Sequence, residues 1–125
     1  HYIDTKLQEH GLTDKNLVLV GFSQGTMMSL HVGLRRESTC AGILGYSGAL
    51  LDAEPLSEVI RSRPPVCIVH GKMDPVVPFV ALAHATTQLE ALEVSVEHYA
   101  RPLLGHSIDP EGIEIGKQFL QKAFL

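Results

Sequence analysis

The chain has no tryptophan, two cysteines and no excess of positive charge. Its 10 Lys and Arg are outnumbered by 14 Asp and Glu, and a net charge of −4 leaves nothing to hold a phosphate backbone, so we expect no nucleic-acid partner. Cys40 and Cys67 are too few for a disulfide scaffold. They predict free buried thiols in a reducing compartment, which favours a cytoplasmic protein.

Long apolar runs and metal-binding motifs are missing as well. No run approaches the ~18 apolar residues that a membrane span needs, and Asp4 and Lys6 stand where a secretory peptide would be apolar. We therefore expect no stable membrane insertion. The sequence has no His-x-x-x-His or paired-cysteine motif, so we expect no metal site. Without repeats or charge runs, 125 residues that are 45% hydrophobic predict one continuous core.

What the sequence does have is a regular alternation of two kinds of segment. Residues 2–10 are typical of the end of a helix, with Gly11 as its C-cap. After it, short apolar runs predict strands at 16–20, 42–46, 66–70 and 94–99, and helical periodicity appears at 24–36, 79–92 and 110–124. Apolar strands joined by helices predict an α/β fold, a mainly parallel sheet with helices on both faces. Ligands bind at the carboxyl ends of such strands.

The segment at 21–25, Gly-Phe-Ser-Gln-Gly, fits the pattern Gly-x-Ser-x-Gly where a strand ends and a helix begins. Flanking glycines let the chain turn sharply there, which lifts the Ser23 hydroxyl out of the sheet. The amide of Gln24 would then point at a bound carbonyl oxygen and form part of an oxyanion hole. The alternative is a tight turn that contains an inert serine.

A serine nucleophile needs an imidazole to take its proton and a carboxylate to orient that imidazole. Asp74 follows the third predicted strand and is the best candidate for the acid. Asp52 also follows a strand, and Asp109 stands too close to the candidate base, His106, to orient that ring easily. Asp52 therefore stays open as an alternative.

His106 is the candidate base because it follows the fourth predicted strand and precedes the last helix. In hydrolases whose nucleophilic serine lies on a turn between a strand and a helix, the three catalytic residues follow in the chain order Ser, Asp, His. Packing or solvent exposure explains the histidines that precede the sheet or lie in predicted helices and strands: His1, His10, His31, His70, His84 and His98.

Four segments together resemble one known family. They are GFSQG at 21–25, GYSGALL at 45–51, HGKMDPVVPF at 70–79 and LGHSIDPEG at 104–112, and they are similar to the phospholipase/carboxylesterase family of serine α/β-hydrolases, relatives of the acyl-protein thioesterases. The resemblance covers nearly the whole chain. It implies the α/β-hydrolase fold, with Ser23 as nucleophile, Asp74 as acid, His106 as base and Gln24 as one oxyanion donor.

The sequence departs from the family pattern in two places. Thr26 stands where many members have a second glycine, which we expect to alter packing at the start of the helix. The family's other oxyanion donor comes from a Gly-rich loop after an early strand, and nothing before Ser23 supplies it.

The expected activity is hydrolysis of carboxylic esters, with thioesters as a further class, through an acyl-serine intermediate and without a cofactor. The alternative from another class is a non-catalytic fragment or subunit that keeps these three residues. A peptidase of the same fold has no positive sign. Apolar side chains near the site favour a small-molecule ester with an uncharged, short to medium acyl group, unless they serve ordinary loop packing: Leu50, Leu51, Val76, Val77, Leu103 and Leu104.

Residues 1–125 are expected to form the C-terminal portion of a single α/β-hydrolase domain. A hydrolase sheet places the nucleophile strand in its middle, yet the residues before 16 are typical of a helix and a turn. The strand at 16–20 is then an apolar edge that invites pairing. We expect its partner to be the N-terminal half of the same domain or a second copy, and we expect the 125 residues alone to be insoluble or inactive.

Overall fold

The computed structural model describes residues 2–51 and 55–125. Its strands form one parallel sheet in the order β1-β2-β3-β4. The strands are β1 (Val18–Phe22), β2 (Gly42–Tyr46), β3 (Val66–Gly71) and β4 (Val96–Arg101). The helices are α1 (Tyr2–Glu9), α2 (Gln24–Arg35), α3 (Leu56–Val59), α4 (Val80–Ala91) and α5 (Pro110–Ala123). The expected parallel α/β arrangement is confirmed.

Every residue of β2 and β3 is buried. This burial is expected when helices cover both faces of a parallel sheet. Alternate residues of a strand point to opposite faces. Ile68 belongs to a core cluster with residues of α2 and α4, such as Leu30 and Leu89, while its neighbour Val69 packs in a second cluster with Phe119 of α5. The sheet is thus the shared wall of two apolar cores.

The β1 edge is exposed and apolar, as the sequence predicted. Val20 is 57% exposed and Phe22 is 40% exposed, and no described strand pairs with the outer side of β1. An apolar groove of about 640 Å³ lies between β1 and α5, and Ile113 and Leu120 of that helix help to line it. The edge therefore offers both unpaired backbone groups and apolar surface.

Two strands begin later than predicted for local reasons, and one short helix was not predicted. β1 begins at Val18 because Asp14–Asn16 forms a 3₁₀ turn, in which the Asn16 side chain accepts a hydrogen bond from the amide of Thr13 at 3.0 Å. β4 also begins later, because the amide of Val94 bonds to the carbonyl oxygen of Leu89 at the end of α4. The short helix α3 was not predicted; it is only 4 residues long.

Both cysteines are free and buried. Burial raises the pKa of Cys67 to about 12 and raises that of Cys40 as well, so neither thiol is a ready nucleophile. None of the helices in the described part of the chain has the length and apolar character needed to cross a bilayer.

Candidate active site

Three candidate residues lie on loops at the carboxyl edge of the sheet. Ser23 directly follows β1, Asp74 follows β3 and His106 follows β4. Because parallel strands end at the same edge, the fold gathers these loops without any further device.

Ser23 is held in an unusual backbone conformation. Its φ of 57° and ψ of −115° lie in a region that non-glycine residues seldom occupy, and such strain persists only where the surroundings enforce it. Its amide donates to the carbonyl oxygen of Tyr46 at 2.8 Å, and its own carbonyl accepts from Thr26 at 3.0 Å. The hydroxyl makes no capping bond to the described part of α2. Ser23 therefore sits on a sharp strand-to-helix turn, and its hydroxyl makes no hydrogen bond to the residues that the structure describes.

The two glycines of the motif differ in their steric role. A Cβ on Gly21 would collide with the backbone of Gly25 and Thr26, so the close approach of β1 and α2 requires glycine there. A Cβ on Gly25 would meet none of the described atoms within 4 Å. The sequence argument that both glycines serve the turn holds in this structure for Gly21 only.

Thr26 fills the space under the turn. It is 1% exposed, and its hydroxyl donates to the carbonyl oxygen of Tyr46 at 2.8 Å. A Cβ on Gly45 or Gly48 would collide with its side chain. The larger residue at position 26 is thus accommodated by small residues at and just after the end of β2.

Asp74 and His106 form a direct hydrogen bond. His106 Nδ1 lies 2.8 Å from Asp74 Oδ2, and the other carboxylate oxygen, Oδ1, accepts the amides of Val76 and Val77 at 2.8 Å each. The Asp74 side chain is fully buried, while that of His106 is 18% exposed. The carboxylate is anchored from within the protein, and the imidazole extends from it towards the surface.

The environment of Asp74 favours its ionised form. Burial by itself would raise the pKa of this carboxyl, but the hydrogen bonds from His106, Val77 and Val76 outweigh burial and hold the pKa below its usual value. An ionised Asp74 accepts the Nδ1 proton of His106, which leaves Nε2 of that ring free to accept another proton.

The loops that carry Asp74 and His106 are joined through their backbones. The amide of Met73 donates to the carbonyl oxygen of Leu104 at 2.9 Å. Gly71 is needed for this approach, because a Cβ there would collide with the backbone of Leu104 and Gly105. The ring of Phe22, next to Ser23, lies 4.9 Å from the His106 ring, centroid to centroid, so the three loops meet.

Asp109, which the sequence argument set aside as the acid, is engaged elsewhere. It caps α5 by accepting the amide of Gly112 at 2.8 Å, and its other oxygen accepts from Arg101 at 2.8 Å. Arg101 holds the pKa of this carboxyl below its usual value. Asp52 lies outside the described residues.

The neighbouring serines are placed differently from Ser23. Ser47 has a φ of 52° but is 1% exposed, and its hydroxyl donates to the carbonyl oxygen of Ser107 at 3.3 Å. Ser107, the residue that follows His106, is exposed. Ser47 thus connects β2 to the histidine loop.

His70, which the sequence argument assigned to packing or solvent, is fully buried beside the acid. Its Nε2 lies 2.9 Å from the carbonyl oxygen of Val77 and 3.5 Å from Asp74 Oδ2. The sequence position of His70 could have indicated this burial. Residues alternate between the two faces of a strand, so His70 shares a face with Val66 and Ile68, and it directly precedes the acid loop.

The six apolar residues expected to contact substrate fall into two groups. Leu51, Val76 and Leu103 are 50%, 65% and 92% exposed, and Leu104 is half-buried. Leu50 and Val77 are buried, and Leu50 belongs to the main core cluster. Within residues 2–51 and 55–125, no group of three or more His, Cys, Asp or Glu side chains could hold a metal ion.

Comparison with known proteins adds a family to this geometry. The family model described as phospholipase/carboxylesterase matches residues 1–124. Acyl-protein thioesterase 1 of Gibberella zeae is 34% identical over 119 residues, which are 91% of this chain and 51% of that protein. Acyl-protein thioesterase 1 of Aspergillus fumigatus is 31% identical over 132 aligned residues, which cover 97% of this chain and 54% of that protein.

The solved structures agree. The crystal structure of esterase PE8 superposes with a TM-score of 0.93 at 33% identity, covering 96% of this chain and 56% of that one. The chain spans about half the length of the curated relatives that it matches.

Proposed function

The chain belongs to the phospholipase/carboxylesterase family and has the α/β-hydrolase fold, and from this premise we propose that it hydrolyses carboxylic esters, thioesters included, through an acyl-serine intermediate. Ser23 is the nucleophile, His106 the base and Asp74 the acid that orients it. The reaction needs no cofactor. The two cysteines of the protein are free and buried, which fits a reducing compartment, and we propose that the protein is cytoplasmic.

One observation carries the proposal: the 2.8 Å bond between His106 Nδ1 and Asp74 Oδ2 at the edge where Ser23 stands on its strained turn. This bond selects the tautomer with the proton on Nδ1 and directs Nε2 away from the acid. A carboxylate that is fully buried and held by two backbone amides is well suited to orient an imidazole in this way.

The reaction proceeds in two halves. Ser23 Oγ attacks the acyl carbon while His106 Nε2 takes its proton, and the carbonyl becomes a tetrahedral oxyanion. When the intermediate collapses, His106 returns the proton to the departing alcohol or thiol, and the acyl group stays on Ser23. Water then attacks the acyl-serine, with His106 again as base, and releases the carboxylic acid.

Gln24 supplies one donor to the oxyanion, because its backbone amide is the first of α2 and the positive end of the helix lies there. We propose that the second donor comes from outside residues 1–125, as the resemblance implies. Loss of one such donor costs about 10² to 10³ in turnover. Full activity therefore requires that further segment.

The β1 edge is the proposed site of contact with that segment. Exposed Val20 and Phe22, and the apolar groove beside α5, would be covered by added strands of the same domain or by a second copy. A β1 edge that stays uncovered would leave the protein prone to aggregation.

For the substrate we propose an uncharged ester with a short to medium acyl group. Leu51, Val76 and Leu103 are exposed apolar residues on the segments that follow β2, β3 and β4, and the curated relatives named above are acyl-protein thioesterases. Rates with a series of nitrophenyl esters of increasing chain length give the preference directly. A maximum with acidic or peptide substrates would contradict the assignment.

The hydrolysis itself is tested by burst kinetics on a nitrophenyl ester, using the chain together with any sequence that its gene encodes ahead of His1. We expect a burst of one nitrophenol per protein, lost in Ser23→Ala and in His106→Ala. Ser107→Ala, an exposed serine next to His106, is the matched control and should keep the burst. If the folded protein, with that sequence included, releases no nitrophenol at all, the alternative of a non-catalytic subunit is correct.

A further inference from the structure

We propose that His70 is a positioning residue that fixes the acid loop, and with it the carboxylate of Asp74, for work on His106. The inference rests on the proposed function, since it concerns the orientation of the proposed acid. His70 does not touch the reacting atoms; it acts through Asp74.

The position of the His70 proton follows from its partner. A carbonyl oxygen can only accept a hydrogen bond, so the 2.9 Å contact with Val77 requires a proton on Nε2 of His70. The other ring nitrogen, Nδ1, is buried and has no hydrogen-bond partner among the described residues. The ring therefore makes one bond, and that bond goes to the acid loop.

Val77 links His70 to the acid. Its carbonyl oxygen accepts from His70, and its amide donates to Asp74 Oδ1 at 2.8 Å. With Oδ1 fixed in this way, and also by the amide of Val76, the second oxygen Oδ2 points at Nδ1 of His106. The chain of bonds runs from the end of β3 to the base without a gap.

His70 Nε2 also lies 3.5 Å from Asp74 Oδ2, the oxygen that His106 uses. The partial positive charge of the N–H that bonds to Val77 therefore also lies near the carboxylate, where both side chains are fully buried. Phe79 packs edge-on against the ring, with centroids 6.0 Å apart, and helps to hold it in place.

A pair of variants separates the hydrogen bond from the packing. His70→Gln places an amide nitrogen near the position of Nε2 and keeps the donor, while His70→Leu fills the space without one. We expect His70→Leu to lower kcat by about 10²-fold with little change in KM, because a small misplacement of a catalytic group costs about that much. His70→Gln should restore most of the rate.

A double-mutant cycle with Asp74→Asn tests whether His70 acts through the acid. In the Asp74→Asn background, His70→Leu should cost nothing further in kcat. If it still lowers kcat about 10²-fold there, its role is general stability and the proposal is overturned. Ser62→Ala is the control, because it removes a buried hydrogen bond, to the carbonyl oxygen of Gly33, at a site away from the loops.

A second readout needs no activity and separates this proposal from the function it rests on. In NMR spectra of the chain together with any sequence that its gene encodes ahead of His1, nitrogen shifts of His70 should report the Nε2–H tautomer, and a downfield proton should report the bond from His106 Nδ1 to Asp74. That proton should persist in His70→Gln and vanish or broaden in His70→Leu. An unchanged proton in His70→Leu overturns the positioning role, even if the ester assay fails.

Discussion

Thr26 and Ser23 donate hydrogen bonds to the same carbonyl oxygen, that of Tyr46, each at 2.8 Å. One bond comes from a buried hydroxyl in the first turn of α2 and the other from the amide of the strained serine. The end of β2 therefore holds both the turn and the helix that follows it, so the conformation of Ser23 depends on residues that do no chemistry.

Replacement of Thr26 by Val should weaken this anchor while it keeps the shape of the side chain. The lost hydrogen bond should lower the free energy of unfolding by about 1 kcal/mol, and Ser23 should react more slowly with a phosphonate. Thr86→Val removes an equivalent bond, to the carbonyl oxygen of Leu82 in α4, and serves as control. Urea unfolding and labelling rates check both. Equal labelling rates in the two variants would show that the Thr26 hydrogen bond does not hold the turn at Ser23.

Gly21→Ala and Gly25→Ala should behave oppositely. The added methyl group at position 21 collides with the backbone of Gly25, so we expect loss of the folded state or of the strand-to-helix turn at Ser23, whereas position 25 has room. Circular dichroism melts and phosphonate labelling measure the two effects. A well-folded, reactive Gly21→Ala protein would show that β1 and α2 are further apart than described.

Asp74→Asn should lower turnover by up to about 10⁴-fold, because Asn no longer holds His106 in the required tautomer. Asp109→Asn should leave turnover within about threefold, since Asn is an equally good N-cap and Asp109 faces Arg101. Asp52→Asn should also cost little. Steady-state kinetics rank the three variants, and a larger loss in Asp52→Asn than in Asp74→Asn would move the acid to Asp52.

Stability should depend on Asp74 in the acid range. Its pKa is lowered in the folded state, so between that value and the unfolded value of about 3.9 the unfolded chain binds more protons. The stability it contributes is complete above the unfolded pKa and is lost as pH falls through the folded pKa. Asp74→Asn should therefore flatten, without abolishing, the pH dependence of urea midpoints below pH about 4. The same slope in both proteins would contradict the carboxylate environment described above.

Much of the fold was predictable because the strands are apolar and evenly separated. β2 was predicted at its observed bounds, since Gly42 and Tyr46 limit a run that is buried throughout. β1 was placed two residues early because an apolar run does not say where hydrogen bonding to a neighbour begins. The capped turn that ends at Asn16 decides that, and its bonds depend on three-dimensional geometry.

The site was predictable to a different degree. Chain order and loop position were enough to nominate Ser23, Asp74 and His106, because parallel strands end at one edge. The contact between His70 and the acid loop was not predictable, since its partner is a backbone carbonyl that the sequence does not mark. The burial of Leu50 and Val77 was missed for a related reason: apolar residues in loops serve the core and the surface alike, and only packing separates them.

The central claim is that Ser23 is the nucleophile, and covalent labelling tests it most directly. The protein is treated with an active-site phosphonate, digested, and mapped by mass spectrometry. We predict a single adduct on the peptide that contains Ser23, absent in Ser23→Ala and strongly reduced in His106→Ala. An adduct on Ser47 or Ser107, or no adduct on protein that hydrolyses esters, would contradict the account.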